Sequence, residues 1–297
     1  MIRSIQIEEK PAGLENLDWK FTWNPVLVVA FLLALALYAS PLASLAYDWQ
    51  HDEGASYGFL VPPIALYIAY MGRKRTFAIP ARTDSRGVIL VLAACFTFLG
   101  GQLGGEFFTT RFSLVMLLAG LVWTFWGLAR LRTLGLPFAL LVTMIPLPAI
   151  IYNKVAVPLQ LFASQAATWT VQAFGGSIYR DGNVLELPNI TLGVAEACSG
   201  LHSLASMVVA SLLLAYIECD RTLVRLLLIV LSVPLAIFVN VVRVTGTAFL
   251  AGYNSEYASG FYHSFSGWLV FIAGFGGLWI IAKLLRRLLE PRAARVN

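Results

Sequence analysis

The sequence predicts an all-α membrane protein built as a polytopic bundle of transmembrane helices. Of 297 residues, 59% are hydrophobic and only 12% are charged, and the mean hydropathy is +0.76. A soluble domain cannot bury so large an apolar fraction, whereas a bundle that spans a bilayer requires it. The apolar residues also fall into long runs separated by short polar or basic segments, which is the pattern of a multi-pass helical protein.

These apolar runs predict about eight spans. The second span is short, and the seventh is longer than a bilayer needs, so its outer end is expected to project or tilt. A further segment, 156–174, interleaves Gln160, Gln165, Thr168 and Gln172 with apolar residues. This mixture predicts an interfacial or re-entrant helix rather than another span. The predicted spans are 25–46, 55–71, 87–104, 112–129, 133–151, 199–217, 224–250 and 264–284.

The basic residues orient these spans. Of the 21 Lys and Arg residues, 17 fall on one side of the membrane, and the positive-inside rule makes that side cytoplasmic, together with both termini. A crossing by 156–174 would place the later basic clusters outside, which argues against that crossing. The expected organisation is a cytoplasmic segment over 1–24, one transmembrane domain over 25–285 and a basic cytoplasmic tail over 286–297. The exceptions to the asymmetry are Arg111, Lys154, Arg180 and Arg243.

Several function classes are disfavoured by composition. The net charge of +5 is explained by the cytoplasmic clusters, and no basic stripe interleaved with aromatics indicates nucleic-acid binding. The sequence has no glycine-rich phosphate loop and no His, Cys and Asp cluster at metal-ligand spacing. We therefore expect the lipid bilayer as a partner and predict neither a cofactor nor a metal.

A small extracytoplasmic cap is predicted before the sixth span. Asp181-Gly182 lies between β-prone flanks in the segment 178–187, which is a hairpin signal. Residues 190–195 then predict a third short strand that leads toward Cys198. Such a cap would hold that region of the chain and offer an extended peptide an edge for pairing.

Cys198 is the first candidate site residue, because it lies where a polar turn gives way to a long apolar helix. The N-terminal end of a helix favours thiolate over thiol. Glu196 opposes thiolate formation unless it pairs with Arg or His. A buried structural thiol is the simpler interpretation of Cys198, and Ser199 is a rival nucleophile. A disulfide with Cys219 is excluded, because the two cysteines are 21 residues apart. Along a helix this spacing separates them by about 31 Å.

Arg243 and His263 are the other candidates, since both fall at the same predicted membrane face as Cys198. An arginine in an apolar run usually faces an aqueous cavity or a partner, although snorkelling toward the interface is the alternative. Asn240, three residues earlier on the same helix face, is expected to steady the guanidinium. His263 and His202 remain alternative bases. A thiol, a fixed cation and an imidazole at one face are the parts of a cysteine acyl-transfer site.

At these residues the chain resembles the exosortase branch of the exosortase/archaeosortase family. The resemblance covers about 45 to 285, and its last three motifs are jointly specific. The early turn Ser56-Tyr-Gly-Phe-Leu-Val-Pro62 is also similar, although the family commonly has His where this chain has Tyr57. The later matching motifs are Ala195-Glu-Ala-Cys-Ser-Gly-Leu-His-Ser203, Asn240-Val-Val-Arg243, and His263 with Gly267 in the last span.

The resemblance implies a membrane-embedded cysteine protease or transpeptidase of the bacterial inner membrane, with its site facing the periplasm. Its substrates would be secreted proteins that end in a Pro-Glu-Pro-type motif, a transmembrane helix and a basic tail. Cys198 would be the nucleophile, Arg243 the oxyanion stabiliser and His263, in preference to His202, the acid/base. Two alternatives from other classes are a polytopic transporter and a non-catalytic subunit of exopolysaccharide export or assembly.

Overall fold

The computed structural model describes residues 25–52, 54–194, 200–258 and 260–290, with only the backbone at 26–27, 200–203, 258 and 263–264. The chain divides into two compact units, Met1–Ser40 and Pro41–Asn297. In the first unit, residues 25–40 form the beginning of a helix that continues through Pro41. The second unit contains every other helix and the sheet.

The described chain contains eleven α-helices and two short 3-10 turns, at Ser56–Phe59 and Ser255–Ala258. The helices are α1 Pro25–His51, α2 Val61–Met71, α3 Arg73–Ala78, α4 Arg86–Leu103, α5 Phe107–Trp126, α6 Leu128–Thr133, α7 Gly135–Thr143, α8 Ala149–Ala173, α9 Gly200–Glu218, α10 Thr222–Tyr253 and α11 Gly260–Leu289.

Five of the described helices are long and apolar enough to cross a membrane, and two more apolar helices are shorter. The helical multi-pass fold is therefore confirmed, whereas the count of eight spans is not. The five long helices are Val28–His51, Arg86–Leu103, Phe107–Trp126, Thr222–Tyr253 and Gly260–Leu289, and the shorter pair are Ser56–Met71 and Leu204–Glu218.

The fifth predicted span, 133–151, is broken in the structure. Helix α7 has only 9 residues, about 14 Å of helix, which is half of a bilayer's hydrocarbon thickness. The chain leaves the helix at residues 144–148, where Pro146 and Pro148 lack the N–H groups that a continuing helix would donate. The prediction of a single span was wrong because it followed the apolar composition of 133–151 and did not allow for the two prolines within it.

Two aromatic side chains donate hydrogen bonds to backbone carbonyls at the break, where the helix no longer supplies N–H donors. Trp49 Nε1 donates to the carbonyl of Met144 over 3.0 Å, and the Tyr57 hydroxyl donates to the carbonyl of Thr143 over 3.1 Å. Trp49 lies so close over Gly58 that a Cβ at this position would strike its indole ring. Trp49 and the early turn therefore stabilise the C-terminal end of α7. The close approach of the Trp49 indole to residue 58 requires a glycine at that position.

Residues 156–173 belong to one continuous helix of 25 residues, so the re-entrant alternative for this segment is wrong. Helix α8 is not among the five helices that are long and apolar enough to cross a membrane. Of its polar residues, Gln160, Ser164 and Thr168 are buried in the protein, whereas Gln165 and Gln172 are exposed. Ser164 Oγ donates to the carbonyl of Gly182 over 3.0 Å. Ser164 and Gln160, four residues apart on one helix face, therefore bind the hairpin of the cap, whereas Thr168 donates to the carbonyl of Ser164 within the helix.

The predicted cap is confirmed as a three-stranded antiparallel sheet. Strands β1 (Tyr179–Asp181), β2 (Val184–Leu187) and β3 (Ile190–Gly193) lie in the order β1-β2-β3. Gly182, with φ of 60°, makes the turn between β1 and β2. One face of the sheet packs through Leu185 and Leu192 on a cluster that includes residues of α8 and α10.

Charged groups tie together the helix ends that were predicted to be cytoplasmic. Glu290 is buried, and its Oε1 accepts hydrogen bonds of 2.9 Å from the backbone N–H groups of Asp220 and Arg221. Arg286 forms an ion pair of 3.3 Å with Glu218. A carboxylate at the start of α10 also suits the positive end of that helix. Helix α11 extends past residue 285, the predicted end of the transmembrane domain, to Leu289.

Candidate functional site

The candidate site is framed by α8, α9, α10, α11 and the sheet. Helices α8 and α10 run in the same direction, since Ala163 of α8 lies beside Asn240 of α10, and Phe174 just after α8 contacts Phe249 further along α10. The sheet lies alongside α10 and reaches its end, where Asn189 Nδ2 donates to the carbonyl of Gly252 over 3.3 Å.

Cys198, Glu196 and Ser199 lie outside the described residues. Val194 before them and Leu204 after them are described, and both lie near the same part of α10. Val194 donates its N–H to the carbonyl of Asn183 over 2.9 Å and packs in a cluster with Val244. Leu204, in the first turns of α9, lines a small cavity together with Asn240.

The Arg243 guanidinium lies against α11. A Cβ built on Gly267 would be 3.0 Å from Arg243 Nη2, 3.2 Å from Cζ and 3.6 Å from Nε. The side chain is half-buried and its Nε is fully buried. The guanidinium therefore faces a neighbouring helix of the protein, which favours the functional interpretation over snorkelling toward the lipid interface.

His263 is placed on α11 by its backbone, and its side chain lies outside the description. It precedes Gly267 by four residues, so the two positions share one face of the helix. Because Gly267 carries the Arg243 contact, the structure brings Arg243 to the helix face that bears position 263. His202 is likewise placed by backbone alone, in the first turn of α9.

Asn240 lies three residues before Arg243 on α10. Its side chain is 5% exposed, and within the described ranges nothing donates a hydrogen bond to its Oδ1. That Asn240 steadies the Arg243 guanidinium stays a prediction, and a hydrogen bond to this oxygen is not the means. The carboxamide instead borders the small cavity that Leu159 and Ala163 of α8 share with Leu204.

The other two cysteines are separate from this region. Cys95 is exposed on α4, and Cys219 is buried between α9 and α10. Burial, with a further contribution from Glu290, raises the pKa of the Cys219 thiol, which makes it a poor nucleophile at neutral pH. Among the residues that the structure describes, no group of three His, Cys, Asp or Glu side chains forms a metal site.

Sequence reasoning assigned no role to Gly267 beyond its place in a matching motif. The role depends on a contact across two helices that lie far apart in the chain. One signal was present, namely the four-residue spacing from His263, which places the glycine on the same helix face.

The fold is that of a multi-pass helical membrane protein in which the Arg243 guanidinium lies against Gly267, one helical turn from position 263. A protein-family model described as transmembrane exosortase matches residues 49–280. The chain belongs to the transmembrane exosortase family. No match was found among the curated proteins or among the solved structures.

Proposed function

We propose that the protein is a cysteine peptidase or transpeptidase that cleaves C-terminal sorting signals of exported proteins at the outer face of the bacterial inner membrane. The observation that carries the proposal is the placement of the Arg243 guanidinium against Gly267, one helical turn from position 263. Val194 belongs to the same buried cluster as Val244, and Leu204 lines a small cavity with Asn240, so described residues on both sides of Cys198 lie near the part of α10 that carries Arg243.

The reaction begins when the Cys198 thiolate attacks the scissile carbonyl carbon. The carbonyl oxygen becomes an oxyanion, to which the Arg243 guanidinium donates hydrogen bonds. The carbon–nitrogen bond then breaks as His263 transfers a proton to the leaving amine, and the acyl group remains on sulfur as a thioester. Water or an acceptor amine then attacks the thioester carbon and gives up a proton to His263, and the carbon–sulfur bond breaks to return the sulfur as thiolate.

The proposed substrate follows from the family. Its C-terminal helix docks beside the bundle, its Pro-Glu-Pro-type motif reaches the site, and its basic tail stays at the cytoplasmic side. The sheet reaches the end of α10, where Asn189 donates to the carbonyl of Gly252, and Arg243 lies in the half of α10 that leads to this end. This distribution supports an enzyme that works at one membrane face.

The test uses a co-expressed reporter protein that ends in a Pro-Glu-Pro motif, an apolar helix and an Arg-rich tail. Cys198→Ala is expected to abolish release of the tail, whereas Ser199→Ala and Cys219→Ala process the reporter at rates close to the parent's. Processing by Cys198→Ala would overturn the cysteine mechanism, and loss of processing in Ser199→Ala alone would transfer the nucleophile to that hydroxyl.

A second measurement separates nucleophile from acid/base. A thiol-reactive substrate mimic that needs no leaving-group proton should acylate His263→Ala slowly, because the thiol is still present, and should leave Cys198→Ala unmodified. His202→Ala serves as the matched control and should behave as the parent does. If His202→Ala loses processing while His263→Ala keeps it, the acid/base is His202.

A further inference from the structure

Gly267 lies against the charged group of Arg243 on the neighbouring helix. The three heavy atoms nearest to a Cβ at this position all belong to the Arg243 guanidinium. By contrast, Gly274 on the same helix faces ordinary packing from Met207 and Val239, and Gly276 faces open space. A side chain at 267 would therefore displace the guanidinium by a few tenths of an ångström, whereas one at 276 meets nothing.

We propose that Gly267 is a positioning residue for Arg243, an inference that rests on the proposed function. With only a hydrogen at this position, the guanidinium lies against the backbone of α11, one turn from position 263. The planar fork of the guanidinium donates in fixed directions, so its distance from the helix sets where an oxyanion can be held. Because Arg243 Nε is buried, the guanidinium has little room to move away from α11 and still hold an oxyanion at the same position.

We expect a side chain at position 267 to slow the chemical step of the reaction and to change substrate binding little. A donor displaced from the developing oxyanion weakens an interaction made in the transition state, which lowers kcat more than it changes KM. A misplacement of about 1 Å costs on the order of a hundredfold, so a smaller displacement is expected to lower kcat about tenfold. The fold tolerates the change, because alanine is a better helix former than glycine.

The experiment compares Gly267→Ala and Gly267→Val with Gly276→Ala in proteoliposomes, using the Pro-Glu-Pro reporter at several densities. We expect kcat to fall about tenfold with alanine and further with valine, with KM and the thermal midpoint of Gly267→Ala close to those of Gly276→Ala. Equal kcat for Gly267→Ala and Gly276→Ala would overturn the positioning role, and so would a kcat loss accompanied by a matching loss of thermal stability.

A double-substitution cycle distinguishes this inference from the function on which it rests. In an Arg243→Lys background the planar fork is gone, so adding Gly267→Ala should cost little more. An unchanged penalty in that background would assign Gly267 a role independent of Arg243. If Arg243→Lys processes the reporter normally, the proposed oxyanion role fails. If Arg243→Lys is impaired and Gly267→Ala is not, only the positioning role fails.

Discussion

At the residue scale, Arg243 depends on its shape as well as on its charge. Three of its guanidinium atoms, Nε, Cζ and Nη2, lie near Gly267, so the planar group as a whole lies against α11. Lysine retains a positive charge but has no planar fork and concentrates its donors on one nitrogen. The placement therefore gives a reason to expect that the two cations are not interchangeable here.

Arg243→Lys is expected to insert normally and to lose processing by about a hundredfold or more, the usual loss when an oxyanion donor is removed. Reporter cleavage measures the effect, and the amount of membrane-inserted protein controls for folding. Turnover within a few-fold of the parent would instead mean that Arg243 serves as a snorkelling residue.

Gly58→Ala is expected to destabilise the protein by about 1–3 kcal/mol, because its Cβ would strike Trp49 and displace the hydrogen bond to Met144. The measurement is the thermal midpoint in detergent. Gly100→Ala, a helical glycine on α4 that faces open space, is the matched control and should not be destabilised. A midpoint for Gly58→Ala equal to that of Gly100→Ala would show that Trp49 adapts without cost.

At the element scale, the sheet is held by α8, whose contacts with the sheet the sequence did not predict. Ser164 is fully buried, and its hydroxyl donates to Gly182 at the hairpin turn. Asn183, the next residue, donates to Gln160 Oε1 over 3.4 Å. The strand β3 then carries the chain to Val194, next to the segment that contains Cys198. The polar stripe of α8 thus supports the framework from which that segment starts.

Ser164→Ala is expected to lower stability by about 1 kcal/mol, which corresponds to about 2–4 °C in the thermal midpoint of a chain of this size. Thr170→Ala is the matched control, because Thr170 Oγ1 donates only within its own helix, to the carbonyl of Ala166. Equal midpoints for the two variants would indicate that the hydrogen bond to the hairpin contributes nothing.

How much the sequence reveals also differs between elements. The long helices and the hairpin follow from local signals, namely uninterrupted apolar runs and Asp181-Gly182. Local signals do not predict the short length of α7 or the burial of polar residues of α8 against the sheet, because both depend on tertiary partners. Trp49 and Tyr57 make the break after α7 tolerable, and the sheet makes buried polar residues on α8 favourable. Within the site, Arg243 could be predicted from the sequence, whereas its contact with Gly267 could not.

At the scale of the whole molecule, the predicted orientation places the sheet outside and the α9–α10 connection inside the cell. Cys219 is unsuited to report this, since it is buried and its pKa is raised. Exposed positions serve better. Glu186 lies on the exposed face of β2, and Asp220 lies in the α9–α10 connection with its side chain 67% exposed.

In a background without the native cysteines, Glu186→Cys should be labelled by a membrane-impermeant maleimide in intact cells. Asp220→Cys should be labelled only after permeabilisation, because the positive-inside rule places its neighbourhood in the cytoplasm. Both variants should react in detergent, which controls for accessibility. The reverse pattern in intact cells would invert the orientation and move the candidate site to the cytoplasmic face.

The short helix α7 has a consequence for the surrounding lipid. It packs with α2, which is itself only 11 residues long, so neither of these two helices is long enough to cross the hydrocarbon layer, unlike α10 and α11. A bilayer meets such hydrophobic mismatch by thinning locally, at a cost that grows with acyl-chain length. We therefore expect the stability of the protein to depend on membrane thickness, with short-chain lipids relieving a deformation that long-chain lipids would impose.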